Sequence, residues 1–294
     1  GAGRGGADVY VMKLMGGGRA LWLETFGTAG EDRVLDLEVG SDGNGYLILT
    51  EESTEGFTLQ RLGPDGRNPW TRHFPGTAPT LAVYQEDQIY LTAAFTAPKI
   101  KVDWQSLTLD EGNDTGAWLG RLDWDGDLVW ARTLPGGGDG PRSVQDVAAL
   151  ADGDIVLSGF GPFHGFPVET GTGRMFAARL SPAGIPEHIV RFGPRASGED
   201  AVHVSLTPGS RDRLHVTGSF DGAFLWNGLR PRPDLEAGIF TGTLEADGSF
   251  GSVLVLRRSG PAAPVRAARD DGGRLHLITR GDNEGGFKLL AIEP

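Results

Sequence analysis

The 294-residue chain sets 39 acidic against 27 basic side chains, a net charge of −12 with no basic run to offset it. That balance opposes nucleic-acid binding, which draws most of its affinity from neutralising phosphates. The absence of cysteine excludes a disulfide framework, a thiolate nucleophile and a zinc–thiolate centre, and no apolar window approaches the ~20 residues a membrane-spanning helix needs.

The opening Gly1-Ala2-Gly3-Arg4-Gly5-Gly6 reads as a processed terminus or flexible leader. Residues 8–14 and 20–26 then predict two strands around a turn, and this unit recurs. In five copies a leucine is followed by Gly at +4 and a strand that closes on Phe or Leu at +12. The anchors are Leu14, Leu62, Leu122, Leu180 and Leu244, with Gly18, Gly66, Gly126, Gly184 and Gly248 as the turn glycines. Trp22, Trp70 and Trp130 fill +8 in the first three copies; His188 and Ser252 replace them in the last two. A period of roughly 50 to 60 residues built from strand-length apolar runs indicates a propeller or another repeat array. The repeated tryptophans are expected to be largely buried between repeats.

Each repeat contains four short strands, here A to D, with A innermost. In the copy near Val144 they cover 144–150, 154–158, 175–180 and 187–192. The A–B turns carry Asp-Gly or a relative of it, and the C–D turn is the Leu-x-x-x-Gly unit, whose glycine supplies the positive φ of a hairpin. Runs such as 46–50 and 253–256 are apolar on both sides, the pattern of strands covered on both faces. Stacked blades give that covering; a sandwich would expose one face of each sheet.

The expected fold is therefore all-β, a single β-propeller over 1–294 whose blades start near 34, 80, 144, 201 and 265. Five blades are expected, closed by residues 8–26 lying against the last blade at 287–292. Six blades, completed by a partner strand or by further sequence, are the alternative.

The repeats resemble the bacterial β-propeller repeat family abbreviated SBBP. The resemblance rests on Asp8-Val-Tyr-Val-Met-Lys-Leu14, Ala20-Leu-Trp22, Phe26-Gly27, Ser41-Asp-Gly-Asn44 and Arg213-Leu-His-Val-Thr-Gly-Ser-Phe220. It implies a propeller and an extracellular or envelope address, and it carries over no catalytic residue.

In a propeller the B–C and D–A loops share one face. The second, third and fourth repeats carry long B–C insertions at 96–115, 161–174 and 221–237. These contain Trp104, Phe163, His164, Phe166, Trp226, Arg230 and Arg232, of which Trp and Arg are residue types enriched at interaction hot spots. Either they form a partner-binding surface or their aromatics pack on their own blades. Aligning the A strands stacks Asp36, Thr80, Asp146, His203 and Arg266, which read either as a polar channel mouth able to hold a ligand or as a solvated lining.

Asp123, Asp125 and Asp127 imitate the start of a calcium loop, but further ligands at the required spacing are missing. No histidine pair has zincin spacing, and no serine sits in a nucleophile elbow. No metal, cofactor or catalytic residue is expected. The leading expectation is a non-enzymatic binding protein for a protein or glycan. The rivals are a hydrolase or lyase using the channel mouth, and a surface assembly joined through the terminal strands.

Overall fold

The computed structural model describes residues 6–52, 55–85, 88–109, 111–112, 114–134, 143–161, 163, 165–194, 203–209, 213–245, 247–257, 265–269, 274–280 and 287–292. The side chains of Ser143, Arg280 and 287–290 are outside that description. The described residues form strands and no helix, and the fold is a five-bladed β-propeller. The chain divides into two compact units, Gly1–Leu134 and Pro135–Pro294.

The first unit opens with a hairpin, β1 (Val9–Leu14) and β2 (Ala20–Phe26). Blade 1 follows as β3 (Asp32–Val39), β4 (Gly45–Glu51), β5 (Phe57–Leu62) and β6 (Trp70–Phe74). In blade 2, β7 (Thr77–Tyr84) and β8 (Gln88–Phe95) are followed by an inserted hairpin, β9 (Lys99–Val102) and β10 (Gln105–Thr108). The blade is then completed by β11 (Gly116–Leu122) and β12 (Leu128–Thr133).

The second unit holds blade 3, with β13 (Ser143–Ala149), β14 (Ile155–Phe160), the inserted β15 (Val168–Gly171), β16 (Met175–Leu180) and β17 (Pro186–Phe192). Blade 4 contains β18 (His203–Pro208), β19 (Leu214–Asp221), β20 (Ala237–Leu244) and β21 (Phe250–Arg257). Blade 5 contains β22 (Val265–Arg269), β23 (Leu275–Arg280) and β24 (Phe287–Ile292). Within every blade the core strands are antiparallel neighbours in chain order.

Blade stacking explains the doubly apolar strands. Tyr46, Ile48, Phe57, Leu59 and Phe74 of blade 1 share one core with Leu81, Leu91, Trp118 and Leu122 of blade 2. The Trp118 ring stacks on Phe57 at 6.4 Å between centroids. In the second unit Val156, Ala177 and Phe192 of blade 3 meet Val216, Phe240 and Leu244 of blade 4. Each anchor leucine from blade 1 to blade 4 is buried. Burying one Leu or Phe side chain stabilises the fold by about 1.5–3 kcal/mol.

The recurrent glycine serves two purposes. Its φ is +84° at Gly66 and +78° at Gly126, a region where only glycine is unstrained. In addition, the +8 residue of one repeat lies over the turn glycine of the next. A Cβ on Gly66 would come within 2.9 Å of the Trp22 indole, and one on Gly126 within 3.0 Å of Trp70. The indole nitrogens donate to the carbonyls of Pro64 and Trp124, each at 2.9 Å. His188 lies over Gly248 in the same way, so imidazole replaces indole in the later repeat. Trp22, Trp70 and Trp130 are half-buried rather than largely buried as expected.

The first hairpin seats Val9, Val11, Trp22 and Phe26 on Leu47, Leu49 and Leu62 of blade 1. Among the described residues β1 and β2 form a two-stranded sheet, and β22–β24 form a sheet of three. The inward residues of the hairpin pack on blade 1.

Candidate functional site

Strand register decides which A-strand residues are equivalent. Asp36 faces Ile48, Thr80 faces Thr92, Asp146 faces Ser158 and Arg266 faces Ile278. In blade 4 that position belongs to Ser205, which faces Thr217; His203 lies two residues earlier. The expected place of His203 is thus corrected. β3, β7 and β13 each carry an irregularity just before the aligned residue, and β18 has none, so counting from the strand start slips the register.

The aspartates hold neighbouring blades together. In the first unit Asp36 Oδ2 accepts from Thr80 Oγ1 at 3.0 Å and from the Leu81 amide at 3.1 Å. In the second unit Asp146 Oδ2 accepts from the Leu206 amide at 2.8 Å, and its Oδ1 from the Val147 amide at 3.0 Å. Arg266 Nη1 stands 3.6 Å from the same carboxylate. Leu81 and Leu206 occupy equivalent A-strand positions, so one latch recurs in both units. A carboxylate whose lone pairs take main-chain donors from the next blade acts as a structural acceptor.

His203 is a weak base here. Burial, with Arg266 nearby, pulls its imidazole down from 6.5 to about 4, against a hydrogen bond to the Val265 backbone. It is therefore neutral at pH 7, and its Nδ1 is buried with no hydrogen-bond partner. Burial also lowers His188 and His215.

The three insertions fold back on the outer edges of their own blades. In blade 2 the Gln105 side chain imitates a strand: its Oε1 accepts from the Ala131 amide at 2.9 Å and its Nε2 donates to the Ala131 carbonyl at 2.5 Å. Trp104 Nε1 donates to the Leu128 carbonyl at 3.0 Å. In blade 3, β15 pairs in parallel with the outer strand β17. In blade 4, Trp226 Nε1 donates to the Gly251 carbonyl at 3.0 Å. Covering an outer strand in this way blunts an edge that would otherwise invite pairing.

This arrangement corrects three candidate binding residues. Phe163 and Phe166 are buried, and Phe163 stacks on Phe176 at 4.7 Å. Trp226 is buried among Phe192, Phe224, Phe240 and Phe250. Their rings supply the core that an elaborated loop needs, and composition alone does not separate that use from a contact surface. Arg230 pairs with Glu236 at 3.0 Å, and Arg232 grips Asp234 through two nitrogens at 3.0 and 2.9 Å. His164 lies outside the described residues.

Each insertion nevertheless presents one large apolar side chain to solvent: Trp104 at 61% exposure, Leu229 at 71%, and Val168. Leu229 and Val168 were missed in the sequence reading, although Leu229 follows Asn227-Gly228, a hairpin-tip signal.

Asp123 closes its own turn, its Oδ1 accepting from the amides of Asp125 and Asp127 at 3.0 and 2.9 Å. Asp127 pairs with Arg72 at 2.8 Å. Among the described residues no group of three or more His, Asp or Glu side chains is placed to hold a metal ion.

No family model and no curated protein sequence matches the chain. Among solved structures it is similar to a protein of unknown function from Bacteroides caccae. The TM-score is 0.55 at 9% identity, covering 94% of this chain and 83% of that one. A PL25 ulvan lyase aligns at TM-score 0.49 and 9% identity, over 86% of this chain and 63% of its own. At such identity the first likeness shows the β-propeller fold alone, and the second carries no argument.

Proposed function

We propose that this propeller is a non-enzymatic binding protein whose B–C insertions contact a protein or glycan. The carrying observation is that all three insertions, while packed on their own blades, leave a large apolar side chain exposed at Trp104, Val168 and Leu229. Exposed aromatic and aliphatic groups on rigid loops are the material of recognition surfaces. The engagement of Asp36 and Asp146 with backbone amides supports binding over hydrolysis or lysis at a channel mouth. The resemblance to the SBBP repeats supports an extracellular or envelope address in a bacterium. The test is affinity capture from a bacterial envelope fraction beside a glycan array, with wild type and a Trp104→Ala/Leu229→Ala chain. The reading expects a ligand retained by the first and lost by the second; equal retention by both refutes it.

A second reading, assembly with another copy of the chain, draws on the outer face of the first hairpin. Tyr10, Met12, Leu14, Leu21 and Leu23 are all exposed there, whereas the equivalents of Leu14 in blades 1 to 4 are buried. Sedimentation across a concentration series tests it: growth in mass that Met12→Glu abolishes supports assembly, and a constant monomer mass rejects it.

A further inference from the structure

Where the first hairpin rests on blade 1, it leaves a cleft lined by Thr25, Thr28, Asp32, Glu51 and Gln60. Two of these side chains sit awkwardly for a protein interior. Asp32 is 5% exposed and accepts from the Thr28 amide at 2.6 Å and the Thr28 hydroxyl at 3.1 Å. Among the described residues no cationic side chain pairs with it. Gln60 is 9% exposed, and its Oε1 is buried with no hydrogen-bond partner.

A buried carboxylate without a counter-ion is destabilising, and so is a buried acceptor without a donor. Both deficits lie in one cleft, and both are acceptors. The Asp8 carboxylate approaches from the hairpin side: a Cβ placed on Gly27 would touch both Asp8 and Asp32. The repeat makes Gln60 unusual as well. Its equivalents in β11, β16 and β20 are Gly120, Ala178 and Gly242, which bring no polar atom to that place. Blade 1 alone puts an amide there, under the hairpin.

We infer that this cleft binds a primary ammonium group, either the side chain of a partner's lysine or a free polyamine. Such a group carries the charge that Asp32 lacks and the N–H donors that Gln60 Oε1 lacks. Three donors on one compact cation can serve both a carboxylate and an amide oxygen that line the same cleft. A divalent metal fits less well, because calcium takes six or more oxygen ligands and no three-residue metal cluster is present among the described residues. The site is separate from the insertion tips and stands whether or not they bind a partner.

The test is titration of the full chain with Nα-acetyl-lysine amide and with spermidine, followed by calorimetry or amide NMR shifts at 25–32 and 58–62. Nε-acetyl-lysine and calcium chloride serve as the neutral and metal arms. Binding of either amine is expected, weakened at least tenfold in Gln60→Leu and tightened in Gln60→Glu, with no response to Nε-acetyl-lysine. Tighter binding of the lysine derivative assigns the cleft to a partner's side chain, and tighter binding of spermidine to a free amine. Asp32→Asn is expected to abolish binding; because it also disturbs the Thr28 turn, the Gln60 pair decides. Silence with both amines, equal affinity in the Gln60 variants, or a response to calcium alone overturns the assignment.

Discussion

Asp146→Ala removes the acceptor that joins blade 3 to blade 4 and leaves the Leu206 amide, in a buried innermost strand, without its 2.8 Å partner. A hydrogen bond to a charged group contributes about 1.5–3 kcal/mol, and an orphaned buried donor costs its full desolvation. Arg266 also loses its carboxylate neighbour, but at 3.6 Å with a half-exposed side chain that pair adds little. The expected loss is about 2–3 kcal/mol, which for a unit of this size lowers the melting temperature by roughly 5–10 °C. Asp146→Asn keeps one acceptor oxygen and should lose about half as much. Thermal unfolding followed by circular dichroism measures the loss, and hydrogen exchange at the Leu206 amide locates it. An Asp146→Ala protein that melts like wild type, with Leu206 equally protected, would refute the latch.

Four further outcomes follow from the same geometry. Gly126→Ala should destabilise by at least about 1 kcal/mol from its positive φ alone, and Trp70→Ala in the same chain should relieve only the steric part; denaturant titration of the double-mutant cycle checks this. Trp130→Ala should cost about 1–3 kcal/mol by the same method, below the value for a fully buried aromatic, because the ring is half-buried. His203 is held at about 4 against an ordinary 6.5, so the unfolded chain binds the extra proton between those values. Its stabilisation is complete above pH 6.5 and fades as pH falls toward 4, by about 3 kcal/mol in total; His203→Gln should flatten that part of the pH–stability profile. Deleting residues 1–27 uncovers Leu47, Leu49 and Leu62 and should lower the melting temperature of the remaining chain.

The repeat was legible because its turns are chemically demanding. A positive-φ glycine four residues after an anchor leucine, and an aromatic four residues later, leave few alternatives for the chain between them. The blade count and nearly every strand follow from that skeleton. The candidate site was less legible, for three separate reasons. Bulges in β3, β7 and β13 add a residue that spacing does not reveal, which displaced His203 from the position Ser205 holds. Phe163, Phe166 and Trp226 look like an exposed recognition set because each lies in a long polar insertion, yet an insertion needs its own apolar anchor. The Asp32–Gln60 cleft depends on how the first hairpin docks on blade 1, and Gln60 draws no notice in a strand of alternating polarity.

The central claim, recognition through the insertion tips of a non-catalytic propeller, is tested most directly by ranking variants against the captured ligand. Equilibrium affinity should fall at least tenfold in Trp104→Ala/Leu229→Ala, and Asp146→Asn should bind as wild type once its lower stability is allowed for by working well below its melting temperature. The reverse ranking, with ligand turnover or binding lost in Asp146→Asn and retained in the tip variant, would contradict the account.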